Sequence, residues 1–358
     1  MNARTAARPK FAYVGCFTTE KRKARGKGVA VYRIDQVTGA WTFVEACAAV
    51  PNPHWVALDG KQAFLYSAHG DSSETCSYSR DRETGRLTFL NKQQTGGDNS
   101  STVAVDATNR YVVLANGPGV AAFPINEDGS LAPRSDLFIP PGEPGPWRDE
   151  QHGPHPHQAK FDLTGRWIVV PDKGLDKLHV LSLDSSNGKL VPVSSQDTRY
   201  GAIPRHIGFH PTRPFAYVVN EMDSTVNAYH WNSGTGALKT FQRIPTTPTT
   251  YTGDNTGAEI AVHPSGKFVY ASNRGHDSIA IYAVDPSSGA LDHIGWESVQ
   301  GKKPRFFGLD PSGDHLYAAN ENSHTIVEFL VDIESGKLKP TGQIIETGSP
   351  SCIAFATQ

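Results

Sequence analysis

Cysteine and methionine are scarce in this chain of 358 residues, at four and two. Cys16, Cys47, Cys76 and Cys352 are widely scattered and never in CxxC spacing, which argues against a disulfide framework and predicts reduced thiols. No apolar run reaches eighteen residues, so no membrane-spanning helix is expected. Neither sign of charge dominates: 34 Lys plus Arg meet 36 Asp plus Glu, and nothing points to nucleic acid or a membrane surface as a partner. The opening MNARTAARPK lacks the apolar core of a secretory signal. A disordered leader over residues 1–10, a single domain over 11–358 and a cytoplasmic location are the resulting expectations.

Turn formers are plentiful instead, with 34 Gly and 25 Pro. They fall at regular places. In PRHIGFHPTRPFAYVVNEMDSTVNAYHWNSGTGALKTF, residues 204–241, alternating segments near 206–210, 215–219, 225–231 and 238–243 predict four strands. A Pro-containing turn, a polar loop from Asn220 to Asp223 and a Gly-rich turn separate them. The first residue of such a unit recurs as Pro53, Ser100, Pro156, Pro204, Gly257, Pro304 and Pro350, in steps of 47, 56, 48, 53, 47 and 46 residues. One four-stranded unit cannot bury both faces alone, so stacked repeats are required.

After Pro350 only one strand remains, whereas the chain starts at Phe11-Ala12-Tyr13-Val14, a match to the second strand Phe215-Ala216-Tyr217-Val218. The C-terminal strand is therefore expected to complete the N-terminal unit. The fold class is all-β: a seven-bladed β-propeller of four-stranded antiparallel blades, its ring closed by that strand and its open edges thereby removed. With its own edges closed, a monomer is expected.

In an antiparallel blade the segment leading into strand one and the loop between strands two and three share one end. Residues one and two past each opener include His157, Arg205, His206, Glu259 and Arg305. Those sixteen and seventeen past include Lys173, Glu221, Asn273, Arg274 and Glu321. Together they predict one rim at the channel mouth, rich in cations with a few carboxylates. Arg forks grip carboxylate or phosphate, and His or Glu can move a proton, so a small anionic substrate is the expected partner.

The run His152, His155, His157 has no Cys or carboxylate at metal-ligand spacing and is not taken as a metal site. G-x-S-x-G and P-loop patterns are absent. The 56-residue step contains a Pro-rich insertion over 140–152, expected either as a surface loop or as a flap offering Trp147 and Arg148 to a ligand.

Three stretches, GPHPHQAKFDLTGRWIVVPDKGLDKL, PRHIGFHPTRPFAYVVNE and HPSGKFVYASNRGHDSI, resemble the lactonase family of seven-bladed propellers, and the resemblance runs from Phe11 to Phe355. That family includes bacterial 6-phosphogluconolactonases and fungal 3-carboxy-cis,cis-muconate lactonizing enzymes. The resemblance implies action on lactones or lactone-forming acids without a required cofactor, and active-site roles for His157, Arg205, Glu221 and Arg274. Pro171-Asp172-Lys173-Gly174 departs from the family's more usual Asp-Leu-Gly by adding a lysine.

Hydrolysis of a sugar-acid lactone, most directly 6-phosphogluconolactone, is the leading expectation, with His157 or Glu221 as base and Arg205 and Arg274 on the substrate. His206, Glu259, Lys173, Asn273, Arg305 and Glu321 are expected to bind substrate. Intramolecular cyclisation of a carboxylate onto a double bond, and a non-catalytic metabolite- or protein-binding propeller, are the alternatives.

Overall fold

The computed structural model describes residues 8–358 and contains seven four-stranded antiparallel sheets. The blades follow the predicted openers. Blade 1 joins Pro350–Ala356 to the strands Phe11–Cys16, Val29–Ile34 and Trp41–Cys47; blades 2 to 7 then follow in chain order. Ring closure occurs where the sequence implies it, with Tyr13 opposite Ala354 and Phe11 opposite Ala356 in an antiparallel ladder. Of the leader expected over 1–10, residues 1–7 lie outside the described residues. Residues 8–10 correct that expectation: Pro9 is buried, and Lys10 donates its amide to the Ala356 carbonyl at 2.7 Å.

The strands of blade 5 are Pro204–Phe209, Phe215–Asn220, Thr225–Asn232 and Ala237–Pro245. Between blades the core is apolar. Tyr217, Val219 and Val226 of blade 5 pack against Ile260, Val269 and Ala271 of blade 6. Full burial of side chains of this kind stabilises by about 1.5–3 kcal/mol each.

A polar staple crosses the same interfaces. Tyr217 donates its hydroxyl to the Gly289 carbonyl at 2.9 Å, and Tyr13, Tyr66 and Tyr270 do the same to Gly85, Gly129 and Gly336. Each acceptor is the turn glycine of the next blade's outer hairpin. Gly289 has φ +75°, and a Cβ there would stand 2.6 Å from the Phe215 ring, so both the turn and the close contact require glycine.

The inner strands carry a recurring irregularity that positions the site. The ladder register slips between Pro53 and Trp55, between Pro204 and His206, between Gly257 and Ile260, and between Pro304 and Phe306. Such bulges add a residue and re-aim side chains. In blade 4 the strand proper shrinks to Lys160–Phe161, and Pro156 bridges singly to Asp172, leaving His157 and Gln158 outside the regular ladder.

Candidate active site

The bulge in blade 5 allows consecutive residues Arg205 and His206 to join one buried cluster, where a regular strand would send them to opposite faces. Just before it, Ile203 sits at φ +57°, an expensive conformation for a β-branched residue. Asp176 holds it there: its carboxylate accepts the amides of Gly201 at 2.7 Å and Ile203 at 2.8 Å. The Ile203 carbonyl in turn accepts the Glu221 amide at 2.7 Å, so the strained turn sets where Glu221 stands.

Glu221 is the hub of the cations. One carboxylate oxygen meets Arg274 Nη2 at 2.9 Å, and the other faces Arg205 Nε at 3.4 Å. Backbone carbonyls anchor both guanidinium groups, Ala258 for Arg205 and Gly257 for Arg274. The buried Arg274 Nε–H has no hydrogen-bond acceptor among the described residues, and the buried Arg205 Nε meets Glu221 at ion-pair distance without a well-aligned hydrogen bond. Burial would raise the Glu221 carboxyl, but Arg274, Lys173 and Arg205 outweigh it and hold it far below the usual carboxylate range. Burial, with Arg274 and Arg305 close by, pulls Arg205 down to about 9.

His157 lies beside this hub and is 6% exposed. Its Nδ1 is 3.1 Å from His206 Nε2, and His206 Nδ1 is 3.0 Å from both Glu259 oxygens. Burial, reinforced by Arg205, His206 and Lys173, keeps the His157 imidazole neutral by driving its pKa well below the ordinary value. His155 is likewise pushed down to about 4, by burial and by Lys173.

Lys173 reaches the cluster from blade 4, and its ammonium also approaches exposed Glu150 at 3.4 Å. Its neighbour Asp172 is a turn former: one oxygen accepts the amides of His155, Gly174 and Leu175. On blade 7, Glu321 takes Lys303 at 3.4 Å and Arg305 at 3.9 Å.

Nine of the ten predicted residues thus contribute to two linked groups, around Glu221 and around Glu321, with His206 and Glu259 behind His157 rather than at an open rim. Asn273 is corrected to a structural role. Its amide donates to the Thr246 carbonyl at 2.7 Å and to Ser278, while its oxygen accepts from Asn255, so its bonding capacity is spent on the loops of blade 6.

The residues around this geometry match a known family. Its sequence model, described as "Lactonase, 7-bladed beta-propeller", covers residues 11–355. The chain belongs to this lactonase family. It is 34% identical over 304 residues to a 6-phosphogluconolactonase of Bacillus subtilis, spanning 84% of this chain and 85% of that protein. It is 30% identical to a 6-phosphogluconolactonase of Formosa agariphila, over 83% of this chain and 86% of that one. Among solved structures, the periplasmic gluconolactonase of Pseudomonas aeruginosa superposes with a TM-score of 0.88 at 28% identity, covering 97% and 99% of the two chains.

Within this lactonase, several neighbours of the site were not singled out in the sequence. Phe17 stacks on His54 with ring centroids 4.8 Å apart, and Arg22 and Arg305 both lie over the Phe17 ring. Arg22 also donates to Asp71 at 2.8 Å. Blade 1 is split between the two chain ends, so counting from an opener never reaches residues 17–22. A cavity of about 850 Å³ opens next to Arg274 and is lined also by Lys302 and Lys303.

The 140–152 insertion is fastened to its surroundings. Gly145 donates to the Gly174 carbonyl, Gln151 to that of Lys173, and the Trp147 indole to Gly201 at 2.9 Å. Trp147 is committed to that backbone contact, and Arg148 is exposed. Among the described residues no cluster of three or more His, Cys, Asp or Glu side chains is disposed to hold a metal ion, and no helix is long and apolar enough to cross a membrane.

Proposed function

We propose that this lactonase hydrolyses a phosphorylated sugar-acid lactone, 6-phosphogluconolactone being the substrate its named relatives suggest. The observation that carries the proposal is the pair Arg205 and Arg274, clamped on Glu221 beside a neutral His157 and next to a cavity lined by Arg274, Lys302 and Lys303. A cluster this rich in guanidinium and ammonium groups suits a substrate anion and a developing oxyanion.

His157 is the base in this reading. Glu221 has both oxygens engaged, by Arg274 and Arg205, which leaves it an anchor for the cations rather than a base. His157 is neutral at pH 7 and available, and an anionic substrate lessens the cationic field that disfavours its protonation. As the oxygen of water bonds to the lactone carbonyl carbon, His157 takes the water's proton and the arginines stabilise the oxyanion. Collapse breaks the ring C–O bond, His157 returns the proton to the leaving alkoxide, and the product acid loses its own proton to solvent.

A phosphorylated sugar acid is a cytoplasmic metabolite, which carries a cytoplasmic location with it, and the closed ring suits a monomer. The test is proton release by pH-stat from 6-phosphogluconolactone above its spontaneous opening, for the parent, His157→Ala and Arg274→Ala. Release that both substitutions abolish in folded protein is the expected result; a parent no faster than background would overturn the proposal.

A further inference from the structure

Behind His157 lies a chain of three ionisable groups in which only one arrangement of protons leaves no lone pairs opposed. His206 is fully buried, and its Nδ1 faces both oxygens of Glu259 at 3.0 Å. A carboxylate accepts hydrogen bonds and does not donate them, so Nδ1 must carry the proton. That leaves His206 Nε2 with a lone pair, 3.1 Å from His157 Nδ1. Two lone pairs cannot face each other at that distance, so His157 carries its proton on Nδ1 as well. The remaining nitrogen, His157 Nε2, has no hydrogen-bond partner among the described residues and is not sealed from solvent.

The chain is rigid at its far end. Glu259 Oε1 also accepts the Ile260 amide at 3.1 Å, and the Glu259 amide donates to Ser272 at 3.0 Å. His206 is further confined by Trp55, whose ring meets it edge-on at 5.2 Å. We infer that Glu259 and His206 are positioning residues: they hold His157 as the Nδ1–H tautomer and leave Nε2 as the nitrogen that accepts the proton. This deepens the lactone-hydrolysis reading and rests on it for the reaction served.

The role differs from the substrate contact expected of both residues from sequence. Neither needs to touch substrate. As Nε2 takes a proton, the imidazolium that forms shares its charge through His206 with Glu259, inside a cluster otherwise crowded by Arg205, Arg305 and Lys173. Around His206 the charged groups are Glu259, Arg205 and Lys160, and burial above all keeps its pKa near 4, so the ring is neutral at pH 7 and Nε2 remains an acceptor.

The experiment is long-range ¹H–¹⁵N correlation on protein labelled at histidine, assigned with His157→Gln and His206→Gln, together with kinetics of Glu259→Gln. Parent protein at pH 7 is expected to show both His157 and His206 protonated on Nδ1 alone. In Glu259→Gln the side chain gains an amide N–H within reach of His206 Nδ1, which no longer has to be protonated, so His157 should become a mixture of tautomers. With it, kcat should fall about 100-fold while KM stays within about threefold, and the acid limb of the kcat profile should move. A parent His157 protonated on Nε2 would overturn the inference, as would a Glu259→Gln variant with unchanged kcat, or one whose kcat falls while both Nδ1–H signals stay intact. The spectra need no substrate. A protein that opened no lactone would therefore sink the reaction reading, while the tautomers would still decide this one.

Discussion

Glu221 divides its carboxylate between two arginines from adjacent blades, Arg274 at 2.9 Å on one oxygen and Arg205 at 3.4 Å on the other. That anion offsets the charge of both guanidiniums, which backbone carbonyls also anchor. Glu221→Gln removes the charge and keeps the shape. At pH 7 the variant should lose about 2–4 kcal/mol of stability, the cost of leaving partly buried charges uncompensated. Inorganic phosphate should then raise its Tm more than it raises the parent's, by replacing the missing anion. Equal phosphate shifts in differential scanning fluorimetry would refute this.

Arg274→Lys keeps a positive charge but loses the planar guanidinium, whose Nη2 serves both Glu221 and the Gly257 carbonyl while its other nitrogens remain for a ligand. Turnover should fall about 10²–10³-fold, as on removal of an oxyanion donor. Steady-state kinetics with the folded variant check it; retained kcat would show that charge alone suffices.

Lys303 reaches Glu321 and lines the cavity beside Arg274 together with Lys302. If the phosphate of the substrate lies on this side, Lys303→Ala should raise KM for the phosphorylated lactone about tenfold and leave an unphosphorylated sugar lactone unaffected. Matched effects on both substrates would place the phosphate elsewhere.

Acid should destabilise this fold early. His69, His155 and His206 are held near 4, chiefly by burial, against an ordinary value of 6.5. Between those limits the unfolded chain binds protons that the folded one refuses, so unfolding free energy falls as pH drops from 6.5 to about 4. Above 6.5 these groups add no slope. Urea denaturation across pH 7 to 4 should show the decline, and His155→Asn should flatten it by up to one proton's worth.

Tyr217→Phe removes one hydroxyl staple to the Gly289 carbonyl. The expected cost is about 1 kcal/mol and a Tm lowered by about 1–3 °C, with Tyr270→Phe similar. No loss in either variant would make the apolar interface sufficient.

The period of openers and Gly turns made the ring legible, because each blade repeats the same local chemistry. The offset from each opener also brought His157, Arg205, Glu221 and Arg274 to one end. It could not distinguish a side chain facing the cluster from one turned into the scaffold. Asn273 shares its place in the repeat with Lys173's neighbour Asp172 and is, like it, a loop tie; that depends on the partners Thr246 and Asn255, which no period reveals. Glu259 looked like a substrate contact until the bulge between Gly257 and Ile260 brought it against His206. Phe17 and Arg22 escaped because their blade is assembled from both ends of the chain.

That divided blade has a consequence for synthesis. On the ribosome, Phe11–Cys16 emerges early, yet its inner hydrogen-bonding edge finds Pro350–Ala356 only after the six intervening blades have been made. Six blades can form in passing, but the ring cannot lock until Pro350–Ala356 has left the ribosome. A message cut short before Pro350 would yield a protein with an adhesive strand on display, so the seam makes ring closure a report on synthesis having passed through that strand.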